Sequence, residues 1–229
     1  VSVENIFSSL GDNVGGIIGE GVGAVLLNGT WIGSLTEISS DQGYWLKVNE
    51  DDILIVIGDP VETQISYDLH FGNNLISYPY EESQYVEDAL GDNAGSVFAF
   101  IGEGAAAINI DNSWSGTLVA LEGSKGYWLV ALEEFTFLFN EPDGDLSRIV
   151  KQPVQRSIPE VYSYTQSSKQ SFYFIERATI GGRSLDTDDI IIAYNDDVVV
   201  GARYWSGEYT DIPAMGMDEY IKVDGYCKP

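Results

Sequence analysis

The chain contains one building block twice, and this duplication restricts its fold more than any single residue does. The tripeptide Gly11-Asp12-Asn13 recurs 80 residues later, and three further landmarks recur at a constant offset of 83. The later landmarks are Gly19-Glu20-Gly21 with Gly102-Glu103-Gly104, Trp31-x-Gly33-x-Leu35 with Trp114-x-Gly116-x-Leu118, and Gly43-Tyr44-Trp45-Leu46 with Gly126-Tyr127-Trp128-Leu129. The second copy therefore carries three extra residues before its Gly-Glu-Gly. Glycine, aromatic and aliphatic residues dominate the matches, which indicates a scaffold repeated for its shape.

Each copy is predicted to begin with a short helix and to continue as strands. Ser2 and Ser83 are the predicted N-caps, and Gly11 and Gly91 follow the apolar stripes where a helix ends in a left-handed residue. Downstream, β-branched and aromatic residues alternate with turn signals such as Asn28-Gly29, a pattern typical of hairpins. Predicted strands include residues 97–101, 106–110, 127–132, 171–176, 190–194 and 198–202.

These patterns predict a mainly β fold of two tandem β modules, each with one short helix, followed by a third β-sandwich-like module. Repeat 1 is assigned to residues 1–62, repeat 2 to residues 63–142, a linker to residues 143–169 and the third module to residues 170–229. An apolar strand at residues 73–79 precedes the helix of repeat 2. Its counterpart in repeat 1 would lie upstream of Val1, so the N-terminus is expected to fall within a repeat unless another segment fills that place. The C-terminus is likewise expected to fall within the third module.

Charge and composition exclude several classes of function. The 11 basic and 36 acidic residues give a net charge of −25, and residues 1–147 hold 24 acids against two bases. Such a surface repels phosphate backbones and anionic membranes, and no apolar run is long enough to span a bilayer. Cys227 is the only cysteine and His70 the only histidine, which excludes an intrachain disulfide and a Cys/His zinc site. No G-x-S-x-G motif accompanies His70 to suggest a serine nucleophile.

Two motifs that resemble catalytic or cofactor signatures are better explained as turns. Both Gly-Glu-Gly segments satisfy G-x-G-x-x-A, but turn sequences follow within ten residues, where a dinucleotide site needs a helix. Glu20 and Glu103 could supply the two carboxylates of a glycosidase. Because they occupy equivalent places, each belongs to its own module, and we expect each to bond the backbone amides of its own glycine turn.

Aromatic residues are the candidate ligand-binding groups. Tyr44, Trp45, Tyr127, Trp128 and Trp205 could stack against sugars, although strands also bury such side chains as core. Adjacent residues on a strand point to opposite faces, so one ring of each Tyr-Trp pair should point inward. Core packing is the more frequent outcome for such rings, and a ligand platform is the alternative.

A loop rich in aspartate is the candidate metal site. Asp186, Asp188 and Asp189 could join a calcium site, because hard cations want several oxygens from a tight loop. The cofactor prediction is therefore none, or structural calcium. Solvated turn acids are the alternative explanation, since no acidic loop matches the twelve-residue calcium-binding pattern.

The sequence resembles two kinds of module found in large proteins. Asn74-Leu75-Ile76-Ser77-Tyr78-Pro79, followed by Gly91-Asp92-Asn93 and Lys125-Gly126-Tyr127-Trp128-Leu129, is similar to the "NLISxP…GKGYW" β repeats of bacterial surface proteins and of marine phage structural proteins. The run from Asp189 to Ala202, with Trp205-x-Gly207 and the segment from Asp211 to Asp218, resembles an adhesin-like β-sandwich module of the same proteins.

The resemblance implies a structural or adhesive segment of a larger virion or extracellular surface protein, without catalytic residues. Expected partners are other virion or surface-protein subunits and cell-surface glycans, with neither nucleic acid nor membrane insertion. Fibre proteins of this kind are often trimers, which makes a homotrimer an expectation. A carbohydrate-binding module is the alternative function, and a glycosidase is a remote one.

Overall fold

The computed structural model describes residues 1–142, 155–218 and 223–228, and these residues form a mainly β protein with few short helices. The predicted fold class is therefore confirmed. The first part of the predicted linker, residues 143–154, lies outside the described residues. The helices are α1 (Val3–Ile6) and α2 (Val86–Leu90), with 3-10 helices at Ser8–Asn13, Gly91–Ser96 and Glu160–Tyr162.

Strands occupy both repeats and the third module. The strands of the repeats are β1 (Val14–Gly19), β2 (Val22–Leu27), β3 (Thr30–Gly33), β4 (Trp45–Val48), β5 (Tyr67–Leu69), β6 (Gly72–Ser77), β7 (Gln84–Tyr85), β8 (Val97–Ile101), β9 (Ala106–Ile110), β10 (Ser113–Gly116), β11 (Ala120–Leu121), β12 (Gly126–Ala131) and β13 (Phe135–Phe137). The strands of the third module are β14 (Gln170–Ile175), β15 (Thr179–Ile180), β16 (Arg183–Ser184), β17 (Ile190–Asn195), β18 (Val198–Tyr204) and β19 (Thr210–Met215).

The described chain divides into two compact units. The first unit contains residues 1–98 and 121–142, and the second contains residues 99–120, 155–218 and 223–228. This division passes through repeat 2, so the compact units do not coincide with the repeats. In the first unit, antiparallel strands form a four-stranded sheet in the order β3-β2-β1-β4, and β12 pairs with β6 and β13 with β5.

The duplication extends to the pairing register of the strands. Gly16 pairs with Val25 in repeat 1, and their counterparts Ala99 and Ile108 pair in repeat 2. The following hairpin keeps the same offset of 83, since the β2–β3 and β9–β10 registers correspond pair by pair. A shift of one residue would move every side chain to the other face, so an unchanged register preserves the whole buried pattern. The three extra residues of repeat 2 lie in its 3-10 helix, just before β8.

Glycines at the ends of the two hairpins explain one of the recurring motifs. Gly33 and Gly116 have φ angles of 155° and 127° and lie against the backbone of the neighbouring strand. A Cβ on Gly33 would overlap the carbonyl oxygen of Gly23, and a Cβ on Gly116 would overlap that of Ala106, which is the residue equivalent to Gly23. The glycine of Trp-x-Gly-x-Leu is thus required by close backbone approach.

The predicted N-cap is correct for repeat 1 and wrong for repeat 2, and the predicted end of the first helix at Gly11 is wrong because α1 ends at Ile6 and a 3-10 helix follows. Ser2 caps α1, with its Oγ accepting from the backbone N–H of Asn5 at 3.3 Å. Ser83 does not cap α2, because Gln84 and Tyr85 form strand β7 and the N-cap is Tyr85. Gly91 ends α2 with a φ of 52°, as predicted.

Strand β6 of repeat 2 also contacts repeat 1, at the place where the repeat 1 equivalent of residues 73–79 was expected. The N–H of Gly43 donates to the carbonyl of Leu75 in β6 at 3.0 Å, and Gln42 forms an antiparallel bridge with Ile76. Strand β6 thus pairs with β12 and also borders the Gln42 segment of repeat 1. Over this short stretch, another segment of the chain lies in the expected place.

The second unit contains three further strand pairs beside the strands of the β8–β9–β10 meander, one of which is the short antiparallel pair β15–β16. Strand β14 pairs with β19, and β17 pairs with β18, all antiparallel. Gly201 of β18 lies against the carbonyl oxygen of Pro213 in β19, and any Cβ there would overlap it. Val200, Met215 and Tyr226 form the buried cluster of this module.

Candidate ligand cavity

A cavity of about 500 Å³ in the second unit is lined by Trp205, one of the predicted ligand-binding residues. Four chain segments line it: the end of the β10 hairpin, the stretch after residue 154, the loop between β16 and β17, and the C-terminal end of β18 with the residues that follow it. The lining side chains include Thr117, Val119, Gln155, Arg156, Ile158, Tyr164, Thr187, Arg203, Tyr204, Trp205 and Ser206. Apolar walls with a few polar groups are typical of small-molecule sites.

One wall of the cavity is aromatic and is held in position by an arginine. The Arg156 guanidinium lies 3.9 Å from the centre of the Tyr204 ring, a cation–π arrangement. The same guanidinium donates to the carbonyl of Thr187 at 2.7 Å and to Asp188 Oδ1 at 3.0 Å. Trp205 is half-buried, and its backbone N–H donates to the carbonyl of Asp189 at 2.9 Å. Trp205 therefore has a fixed backbone and a partly accessible ring.

One lining residue of the cavity, Arg203, belongs to a buried ion pair. Arg203 Nη2 lies 3.1 Å from Asp211 Oδ2, and both side chains are almost completely buried. Arg203 also donates to the carbonyl of Gly104 at 2.8 Å, to the carbonyl of Asp211 at 2.9 Å and to the side chain of Gln155. Because its donors are occupied by protein acceptors, Arg203 is a structural group that shapes the cavity, and Arg156 is the more exposed of the two cations.

The carboxylate of this pair connects the β9–β10 hairpin to the third module. Asp211 accepts from Thr117 Oγ1 at 2.8 Å, from the Thr117 backbone N–H at 2.9 Å and from the Ala106 N–H at 3.3 Å. Burial raises the pKa of Asp211, while Arg203 and the Thr117 hydrogen bonds oppose that rise. These hydrogen bonds fix the position of Arg203 in the cavity wall, as a preformed binding site requires.

The two predicted Tyr-Trp pairs lie elsewhere, and their tyrosines have a structural role. The hydroxyl of Tyr44 accepts the backbone N–H of Ser39 at 2.9 Å, and the hydroxyl of Tyr127 accepts the N–H of Glu122 at the same distance. These bonds are equivalent at the offset of 83. Burial raises the pKa of Tyr127 to about 12.

The tryptophans of these pairs are half-buried on their strands. Trp45 lies on β4 opposite Ile18, and Trp128 lies on β12 opposite Leu75. Both belong to the first unit, whereas Trp205 belongs to the second. Of the five, only Trp205 lines the cavity described above.

The three candidate calcium ligands are engaged with arginines. Asp189 is held by both terminal nitrogens of Arg183, at 2.7 and 2.8 Å, and this pairing lowers the pKa of Asp189 to about 2. Asp186 lies 3.4 Å from Arg183, and Asp188 is paired with Arg156. Within the part of the chain that the structure describes, no three His, Cys, Asp or Glu side chains are placed to hold a metal ion.

Glu20 was expected to bond its own glycine turn, and this expectation was wrong. Its Oε2 accepts the backbone N–H of Leu75 at 2.8 Å, and its Oε1 lies 2.7 Å from Nε2 of His70. The Phe71 carbonyl, together with Glu20, raises the pKa of His70. Glu103 is exposed on its turn in the second unit, so the two glutamates do not form the carboxylate pair of a glycosidase within either unit.

Sequence reasoning missed part of the cavity because some of its lining residues fall in the predicted linker. Gln155, Arg156 and Tyr164 all lie in residues 143–169, which proline and polar residues marked as irregular. The only available signal was the local concentration of basic residues in a very acidic chain. Asp211 and Arg203 gave no separate signal, since a buried ion pair has no sequence pattern.

Comparison of the chain with family models, curated proteins and solved structures finds no match. The described residues include no helix with the length and apolar character needed to cross a membrane.

Proposed function

We propose that this chain is a non-enzymatic structural and adhesive segment of a larger extracellular surface or virion protein. The observation that carries the proposal is the use made of the recurring residues. Gly33 and Gly116 allow close strand contact, and Tyr44 and Tyr127 each bind a loop amide through the hydroxyl. Residues kept between copies for backbone geometry are expected in a repeated scaffold.

The charge of the protein supports the same proposal. A net charge of −25 keeps the surface soluble and discourages unspecific contacts with other acidic surfaces. Attachment would then depend on shape-specific contacts at strand edges and cavities.

The test of the proposed location is antibody labelling of intact particles. Antibodies against the purified chain should label the outside of unbroken cells or virus particles from the source. Labelling that appears only after lysis would contradict a surface or virion role. Turnover of a polysaccharide or peptide substrate by the purified protein would contradict the non-enzymatic part of the proposal.

The cavity supports a second candidate function, carbohydrate binding. Its volume of about 500 Å³ suits a sugar of one or two rings, with Trp205 as the stacking face and Gln155, Arg156 and Ser206 as hydrogen-bonding groups. The lining contains no Asp or Glu among the described residues, so in this acidic protein the cavity is one place that does not repel an acidic sugar.

Glycan-array binding followed by titration tests this second function. We expect Trp205→Ala to weaken binding about tenfold, since an aromatic contact contributes roughly 0.5–1.5 kcal/mol beyond its buried area. Trp128→Ala is the matched control, because Trp128 is also a half-buried strand tryptophan but lies in the first unit. Equal losses in both variants would exclude the cavity as the site.

A further inference from the structure

One surface of the first unit is a run of five aliphatic residues that pairs with no strand among the described residues. Residues 53–57, here called the acceptor segment, have the sequence Ile-Leu-Ile-Val-Ile and lie outside the strands of the described structure. All five side chains are exposed, from 40% at Leu54 to 94% at Ile57. Contiguous exposed apolar groups with high strand propensity mark either an interaction site or an aggregation hazard.

Repeat 2 contains the counterpart of this segment in a covered state. The N–H of Asn49 donates to the carbonyl of Asn13, and the N–H of Leu132 donates to the carbonyl of Ser96, both at 2.9 Å, so the offset of 83 still holds here. Residues 52–56 therefore correspond to residues 135–139, which include strand β13.

The counterpart is covered by strand β5 and by aromatic rings. Phe135 pairs with Leu69, and Phe137 pairs with Tyr67, in an antiparallel ladder. Phe137 and Phe139 are each only 3% exposed. The Tyr67 ring centre lies 5.5 Å from that of Phe137 and 5.3 Å from that of Phe139. Repeat 2 thus provides a template for what covers this part of the module.

We propose that the acceptor segment binds an incoming β-strand of the β5 type. Such a strand is antiparallel and carries an aromatic and an aliphatic residue two positions apart, as Tyr67 and Leu69 do in this chain. Its source is another repeat module of the same kind whose β5-type strand is unpaired, because β5 of this chain already pairs with β13. Addition of a strand to an open edge supplies main-chain hydrogen bonds, and alternate side chains supply specificity.

The charges around the acceptor segment argue against pairing with a second acceptor segment. Glu50, Asp51 and Asp52 precede it, and Asp59 and Glu62 follow it. Antiparallel pairing of two such segments would bring the acids at one end of each strand beside those at the other end of its partner, and like charges in cross-strand pairs are destabilising. Strand β5 carries a single acid, Asp68, so it lacks this repulsion.

The template also predicts which side chains the incoming strand would bury. Leu54 and Val56 correspond to the buried Phe137 and Phe139, whereas Ile55 corresponds to Leu138, which is 43% exposed. Neighbouring residues on a strand point to opposite faces of the sheet. Val56 is therefore expected to point towards the covered face and Ile55 towards solvent, which makes them a matched pair for mutation.

The test uses the whole chain and a labelled synthetic peptide with the sequence of residues 65–77, which contains β5 and β6. Fluorescence anisotropy should show saturable binding to the wild-type chain and none with a scrambled peptide. We expect Val56→Asp to weaken binding at least about tenfold and Ile55→Asp to change it by less than about threefold. Both side chains are already exposed, so both variants should fold, and circular dichroism checks this.

Three outcomes would overturn the proposal. They are no binding of the peptide to the wild-type chain, equal losses in the two variants, and self-association of the chain that Val56→Asp abolishes without any peptide binding. The last outcome would identify a second acceptor segment as the occupant. The proposal concerns strand addition only, so its failure would leave the surface-labelling and Trp205 experiments unaffected.

Discussion

Removal of the Arg203 guanidinium should destabilise the second unit strongly, and the loss should depend on pH. Arg203 makes a 3.1 Å ion pair with the buried Asp211 and donates to the carbonyl of Gly104, to the Asp211 carbonyl and to Gln155. Arg203→Met keeps the aliphatic volume but leaves a carboxylate buried without its cation. Breaking a buried ion pair in this way costs about 3–5 kcal/mol, which is a large part of a typical stability of about 5–15 kcal/mol.

The pH dependence follows from the direction of the Asp211 pKa. Burial already raises this pKa, and Arg203 is the main charge that opposes the rise, so its removal should raise the pKa further. A carboxyl group with a folded-state pKa above its unfolded value, about 3.9, favours folding below that value. It loses this contribution as the pH rises through the folded pKa. The stability gap between wild type and Arg203→Met should therefore be widest near pH 7 and narrow on acidification.

Guanidinium chloride unfolding, followed by circular dichroism and tryptophan fluorescence, measures this prediction. Adding Asp211→Asn to Arg203→Met removes the uncompensated charge, so the double variant should recover about 1–3 kcal/mol and show a stability difference that varies little with pH. If Arg203→Met fails to fold, the double variant still provides the comparison. A cost below about 1 kcal/mol for Arg203→Met, or a double variant less stable than Arg203→Met, would refute the reasoning.

Two smaller perturbations test the first unit. Tyr127→Phe should cost about 1–3 kcal/mol in unfolding free energy, because it leaves a loop N–H without its acceptor, and Tyr44→Phe should cost less because Tyr44 is half-buried. Equal costs in denaturant unfolding would contradict a burial effect. His70, the only histidine, should titrate above 6.5 by NMR, and Glu20→Gln should lower its pKa. A histidine whose pKa is raised on folding stabilises the folded state below about pH 6.5, and this stabilisation is lost as the pH rises through the folded-state pKa. Glu20→Gln should therefore make the stability of the fold depend less on pH in this range.

Local sequence chemistry predicted strands and hairpins well but failed where tertiary contacts intervene. Strands β8 and β9 have the predicted ends, since alternating apolar residues and tight turns are encoded within a few neighbours. The N-cap at Ser83 was wrong because the next two residues pair as strand β7, a contact that no local signal announces. Likewise, the glycine turn around Glu20 gave no indication that its carboxylate binds Leu75, which is 55 residues away.

The cavity shows a different limit of sequence reasoning. Trp205 could be proposed as a ligand platform from its residue type, but so could four other aromatics with the same local pattern. What separates Trp205 is the presence of Gln155 and Arg156 beside it, about 50 residues away in the chain. An irregular, proline-rich stretch looks like a linker when only periodicity is considered, and its side chains acquire a role only when the fold brings them against β18.

The acceptor segment differs in burial from its counterpart in repeat 2. Two copies of one module should bury equivalent positions, so an equivalent position that is buried in one copy and exposed in the other requires a cause. Phe137 and Phe139 are buried because β5 and the rings around Tyr67 lie on them, whereas no strand pairs with Leu54 or Val56 among the described residues. Five consecutive exposed aliphatic side chains between two acidic stretches favour a segment that is covered when the module is assembled.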